Sequence, residues 1–167
     1  MRNIKDLMNL KGRRALITGA AGGLGQEIAL TIAELGGDLL LVDLPNTDYS
    51  TVTQKVLDSW NVQVECVDCD LENEVERNSL ISKVNTDSKG LNILINNAAF
   101  VGTSGLEGWV TDFESQSVDT WRRAIEVNLT AVFHLSQGLA PLLKKRAGEA
   151  GLEDCDKISG HSLRIGS

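Results

Sequence analysis

The sequence predicts an α/β protein, a doubly wound parallel sheet with helices on both faces. Three observations carry this reading. Short apolar runs alternate with longer stretches of helical periodicity. Two of the runs are apolar almost throughout, as strands covered on both sides must be. A glycine-rich stretch, "TGAAGGLG" at 18–25, falls where the first strand gives way to the first helix.

In chain order, the first strand is "RALIT" at 14–18. The helix after it spans 24–35, where Leu24, Ile28, Ile32 and Leu35 recur at helical spacing and Gly36 and Gly37 stop it. The second strand is "DLLLVD" at 38–43, followed by a helix over about 49–60. The third, "VQVECV" at 62–67, alternates. Gln63 and Glu65 share one face and Val62, Val64 and Cys66 the other, a pattern suited to a sheet edge. A helix over about 72–85 leads to the fourth strand, "LNILIN" at 91–96. Strand, helix, strand, helix implies right-handed crossovers and a parallel sheet. A Gly- and Ser-bearing segment then precedes a strongly apolar helix from about 118. Its predicted buried stripe is Trp121, Ile125, Asn128, Val132, Leu135 and Leu139, widened by Leu129 and Phe133.

The 167 residues suffice for one domain, read as 1–167. A net charge of -7 argues against nucleic acid or an anionic membrane surface as partner, and the basic clusters at 11–14 and 144–146 read as solvated faces. No run approaches the roughly 18 uninterrupted apolar residues of a membrane span. The first residues lack the apolar centre of a signal peptide, so a cytoplasmic protein is expected. The odd set Cys66, Cys69 and Cys155 fits a reducing compartment. No metal is expected: on a strand, Cys66 and Cys69 of "CVDC" point to opposite faces, and His134 and His161 lack ligand-like spacing.

The glycines have a chemical use. A helix N-terminus offers free N–H groups and partial positive charge, and a pyrophosphate approaches closely only where no Cβ intervenes. Asp43 closes the second strand, 18 residues after Gly25. A carboxylate there accepts hydrogen bonds from adenosine ribose hydroxyls and repels a 2′-phosphate, so NAD is expected over NADP.

With these residues in view, the chain resembles the short-chain dehydrogenase/reductase family from about Leu10 to Leu143. The octet fits the family's TGxxxGxG pattern through Thr18, Gly19, Gly23 and Gly25. Through Gly22 it also fits the TGxxGxxG of the extended, sugar-nucleotide branch. "NNAA" at 96–99 resembles the NNAG motif of the ordinary branch and decides for it. The resemblance implies a Rossmann-type domain and an oxidoreductase moving a hydride between a nicotinamide cofactor and a small alcohol or carbonyl substrate. It implies cofactor contacts at Thr18, Gly19, Gly22, Gly23, Leu24, Gly25, Asp43, Asp70, Leu71, Asn97, Ala98 and Ala99. Asp70 would lie beside the adenine ring. "IEVNLTAVF" resembles the helix bearing the active-site asparagine, here Asn128, which in the family helps hold a water near the catalytic lysine. In the middle of an apolar stripe, that amide also needs a hydrogen-bonding partner of its own.

The family's catalytic Ser, Tyr and Lys have no counterpart in the chain. Its one tyrosine, Tyr49, is followed four residues later by Thr53, and "LRIGS" at 163–167 looks like the approach to a fifth strand. The chain is therefore expected to be the front part of a longer, commonly oligomeric enzyme, truncated after the fourth strand and its following helix. A protein that ended at Ser167 is expected to bind NAD weakly, aggregate and catalyse nothing. The alternative is a catalytically silent cofactor- or partner-binding module. Trp109 and Phe113, in an otherwise polar loop, either form a pocket wall or lid or pack against the domain, and 144–164 reads as a surface insertion.

Overall fold

A computed structural model describes residues 7–102 and 104–149. Four strands form one parallel sheet in the order β3-β2-β1-β4. They are β1 (Arg14–Thr18), β2 (Asp38–Asp43), β3 (Val64–Asp68) and β4 (Ile93–Ile95). The helices between them are α1 (Gly23–Glu34), α2 (Ser50–Ser59) and α3 (Glu74–Thr86). After β4 come a 3₁₀ turn (Phe113–Ser115), α4 (Val118–Ile125), a π turn (Glu126–Thr130) and α5 (Ala131–Glu149). Cys155, His161, the "LRIGS" ending and the polar stretch beyond 149 lie outside the described residues. The start of that stretch, 144–149, continues α5.

Alternation along the inner strands divides the core in two. Ile17, Leu39 and Leu41 pack with Ala29 and Ala33 of α1 and Val52 and Val56 of α2. Leu16, Leu40 and Val42 point the other way, to Leu80 and Val84 of α3 and Leu135 and Leu139 of α5. Both faces of the sheet are covered, as the apolar strands required. The third strand lies at the sheet edge its alternation suited, but runs from Val64 to Asp68 rather than over 62–67. The fourth is shorter than 91–96, with only Ile93–Ile95 in ladder.

Two predicted stripes need correction. On α1 the residues against the sheet are Gly25, Ala29 and Ala33, while Leu24 is 69% exposed. Small side chains let the helix come close, and Ile28 and Ile32 flank the seam. On α4–α5 the inner residues are Thr120, Ala124, Val127, Ala131, Leu135 and Leu139. Trp121, Ile125, Leu129 and Phe133 are exposed, so the predicted stripe and its widening lie outward here. The π turn takes up an extra residue and slides the stripe, so that the predicted and observed faces coincide only at Leu135 and Leu139.

Candidate functional site

A cleft of about 440 Å³ opens at the carboxyl ends of the strands. Its wall is built by the turn after β1 (Gly19 and Gly22 to Gly25), the end of β2 (Val42, Asp43, Leu44) and the loop after β3 (Cys69, Asp70, Leu71). Asn97 to Val101, Ser104 and Val127 complete it. Ligands bind open α/β sheets at this edge, where neighbouring crossovers diverge to opposite faces.

The glycines of the first turn divide into two kinds. Gly19 and Gly25 are bare because the protein crowds them. Gly19 has φ +64°, and a Cβ there would stand 2.8 Å from the Ala98 Cα. A Cβ on Gly25 would stand 2.1 Å from the Gly19 carbonyl oxygen. Gly23, the first residue of α1, meets nothing within 4 Å. A Cβ at Gly22 would reach only the Gly19 carbonyl oxygen, at 3.4 Å. Close packing within the chain does not explain the bareness of Gly23; room for something against the helix start does. The N-cap, Gly22, offers no side-chain acceptor, and the first turn of α1 holds no acidic residue. By contrast, the α3 N-cap Asn73 accepts from the Val75 and Glu76 N–H groups, with Glu74 and Glu76 in its first turn. The α1 terminus therefore keeps donors and positive dipole for an outside anion.

Thr18 is not on the cleft surface. It is 1% exposed, and its hydroxyl accepts from the Asn97 and Ala98 N–H groups at 3.0 and 3.1 Å. The Asn97 amide donates to the Thr18 and Gly19 carbonyls at 3.0 and 3.1 Å. These bonds tie the glycine turn to the end of β4 and fix both walls together. Asp43 reaches the same turn: Oδ2 accepts from the Ala21 N–H and Oδ1 from the Leu44 N–H, each at 2.9 Å. The Asp70 N–H donates to Glu76 at 2.7 Å, and the Asp70 carboxylate accepts from the Glu72 N–H at 2.9 Å. The lining residues include two carboxylates, Asp43 and Asp70, and no lysine or arginine.

Asn128 sits at the centre of the π turn, away from the cleft lining. Its amide pairs with one backbone residue: Oδ1 accepts from the Phe100 N–H at 2.8 Å and Nδ2 donates to the Phe100 carbonyl at 3.0 Å. The amide is thus satisfied, and it holds the segment that leaves β4. A π turn also widens the helix and leaves a local mismatch in the carbonyl ladder, a feature frequent at functional sites. Phe100, unrecognised in the sequence, is the aromatic residue of the cleft; the Arg123 guanidinium lies 5.6 Å from its ring centroid and pairs with Glu72 at 2.8 Å. Trp109 instead meets Trp121, with ring centroids 6.4 Å apart, and Phe113 is 84% exposed. Neither lines the cleft: Trp109 packs within the chain, the other reading of this loop, and Phe113 faces outward.

Tyr49 is buried and donates to the Val67 carbonyl at 3.1 Å, and burial pushes its hydroxyl pKa well above the ordinary phenol value. Cys69 is buried in the cleft wall, with its thiol pushed by burial up to about 11, a poor nucleophile. Among the described residues, no three His, Cys, Asp or Glu side chains cluster as metal ligands. No described helix is long and apolar enough to cross a membrane.

This sheet order, with a bare turn at its first crossover, defines a Rossmann-like α/β fold. Residues 13–151 match the family model described as short chain dehydrogenase, and the chain belongs to that family. It is 33% identical over 143 residues to the 7alpha-hydroxysteroid dehydrogenase of Escherichia coli (strain K12), covering 86% of this chain and 52% of that protein. The Pseudomonas aeruginosa RhlG/NADP active-site complex superposes with a TM-score of 0.70 at 28% identity, over 83% of this chain and 50% of that one. The L-sorbose reductase of Gluconobacter frateurii, solved with NADPH and L-sorbose, shares the fold at a TM-score of 0.72 and 24% identity, over 83% and 50% of the two chains. The chain thus spans about half the length of the curated relatives it matches.

Proposed function

We propose that this chain forms the cofactor-binding part, with one wall of the active site, of an NAD-dependent dehydrogenase/reductase acting on a small alcohol or carbonyl compound. Membership of an oxidoreductase family supports the reaction class. The observation that carries the cofactor is the open space at Gly22 and Gly23 before an uncapped helix start, facing Asp43 across the same cleft. The α1 N-terminus would receive the pyrophosphate, Asp43 the adenosine ribose, and Asp70 with Leu71 the adenine side. Ala98, Ala99 and Phe100 would continue the wall toward the reacting end.

The nicotinamide group supplies the hydride acceptor or donor. This chain's residues bind and orient. Thr18 and Asn97 keep the two walls in register, and the Asn128 amide fixes the backbone of Phe100. Fixed walls lower the ordering cost of binding and hold the reactive face in one place. The family's general acid–base tyrosine is not supplied by Tyr49, whose hydroxyl is committed to Val67 in the core.

The choice of NAD rests on charge. NADP carries a 2′-phosphate, and a cleft lined by Asp43 and Asp70 with no cation opposes it. Asp43→Ala should raise the NAD dissociation constant about tenfold, by loss of charged hydrogen bonds. The carboxylate also holds the Ala21 and Leu44 amides, so the ratio of NAD to NADP affinity is the decisive readout. Damage to the turn alone would weaken both cofactors equally. Loss of ribose recognition narrows the ratio, and calorimetric titration with each cofactor separates the two.

A further inference from the structure

Arg77 is the largest side chain sealed in the core, 2% exposed, within the first turns of α3. Its guanidinium divides among the loop just before α3, the π turn and α5. Nη1 donates to the Leu71 carbonyl in the loop after β3. Nη2 pairs with Glu126 at 2.6 Å, at the start of the π turn. Nε donates to Nδ1 of His134 on α5 at 3.2 Å. Leu71 lines the cleft beside Asp70, and the π turn carries Asn128, which holds Phe100 of the opposite wall. One buried cation therefore joins the wall after β3 to the helix that sets the wall after β4.

We propose that Arg77 is a positioning residue for cofactor binding, fixing the Leu71 wall against the π turn; this rests on the dinucleotide reading of the cleft. Core filling alone does not call for it. A buried ion pair is seldom better for stability than apolar side chains of similar size, whereas the guanidinium offers fixed, planar donors to three acceptors at once. Leu71 belongs to a loop, and its backbone has no ladder to set it. The Arg77 donor to its carbonyl, with the Glu76 carboxylate on the Asp70 N–H one residue earlier, sets that loop from the first turn of α3.

The test uses the full-length protein that carries this chain and measures the dissociation constants of NAD and ADP-ribose, with the thermal midpoint, for wild type, Arg77→Leu and Arg77→Lys. Arg77→Leu should weaken both ligands together by about fivefold or more, since the loop they share loses a charged hydrogen bond. Its thermal midpoint should fall as well, since Glu126 and the Leu71 carbonyl lose their partner, so the affinity measured in the folded protein is the deciding readout. Arg77→Lys retains one donor but not the three-way fork, and should weaken both ligands by about half as much on a logarithmic scale. It also serves as the decisive variant should the leucine protein not fold. A residue that only fills the α3–α5 seam predicts a lower midpoint with unchanged affinity in the folded protein. Affinities within twofold of wild type in a folded variant overturn the proposal while the dinucleotide reading stands. Absence of NAD and ADP-ribose binding in the wild type overturns both.

Discussion

At the scale of single residues, the two kinds of glycine make opposite predictions. Gly25→Ala puts a methyl group 2.1 Å from the Gly19 carbonyl oxygen, so the turn must shift. Overpacking of this kind costs about 1–3 kcal/mol, and the thermal midpoint should fall. Gly23→Ala meets no protein atom and replaces a glycine at the first position of a helix, so the midpoint should hold or rise slightly. Its methyl group occupies the space before the α1 terminus, so NAD affinity should fall. A fall in midpoint for Gly23→Ala, or unchanged affinity, would refute this division of labour. The sequence shows four glycines and their place before a helix, but not which serve the chain and which serve a ligand, because that depends on what faces each Cα. Asp43 was legible from its place at the strand end. Phe100 and Arg77 were not: one follows a motif that ends before it, and the other reads as an ordinary charged residue on a helix.

At the scale of elements, the strands and first three helices were legible from periodicity, to within a few residues at their ends. The stretch from 118 onward was legible as a helix but not in its facing. Its large apolar residues, Trp121, Ile125, Leu129 and Phe133, suggest the inner side, yet the buried positions are Thr120, Ala124 and Ala131, with Thr120 bonded to the Glu107 carbonyl. Periodicity counts apolar residues and cannot tell which of two apolar stripes a neighbour can approach closely. The π turn compounds this by breaking the 3.6-residue period at Asn128. The amide of Asn128 is what that turn presents to Phe100, so Asn128→Ala removes two hydrogen bonds and leaves two backbone groups to find others. A loss of about 1–3 kcal/mol is expected. The Phe100 amide should exchange with solvent far faster in hydrogen-exchange measurements, while amides of β1 keep their protection. Equal loosening of both would mean that the asparagine supports the core at large rather than this segment.

At the scale of the whole molecule, a second buried arginine anchors the end of the sheet opposite the cleft. The cleft is at the carboxyl ends of the strands. At the amino end of β1, buried Arg14 pairs with Glu65 at 2.6 Å and Asp87 at 2.7 Å. Lys83 and Lys89 add to Glu65. Both carboxyl pKa values lie below their ordinary values, Glu65 chiefly through the hydrogen bond from Lys83 and Asp87 chiefly through that from the Lys89 backbone. A carboxylate with a lowered pKa in the folded state stabilises the fold fully above its unfolded value, here near 4.5 and 3.8, and this is lost as pH falls through the lowered one. The protein should therefore lose stability steeply below about pH 4. Lys83→Met, which removes the main cause of the low Glu65 value, should flatten that loss while lowering stability slightly at neutral pH, as chemical denaturation across pH would show. An unchanged acid slope would remove the cluster from the account. The architecture itself, four parallel strands with helices on both faces, was legible because the apolar second strand had to bury both sides and strands alternated with helices; the cluster was not, since it joins residues from three separate segments.

The strand order also has a consequence for how the chain is made. Leu16 at the centre of β1 pairs with Leu40 on one side and Leu94 on the other, partners 24 and 78 residues further along. As the protein leaves the ribosome, β1 and β2 can join early across α1, while the other edge of β1 stays open until β4 emerges. Contacts this far apart in sequence slow folding, because a long loop must close before any of them forms. The last partner to arrive brings with it Asn97, whose amide locks the glycine turn. The nascent protein thus acquires its cleft late, after most of the apolar sheet has already been synthesised, and it is over that interval that the growing chain depends most on protection by chaperones.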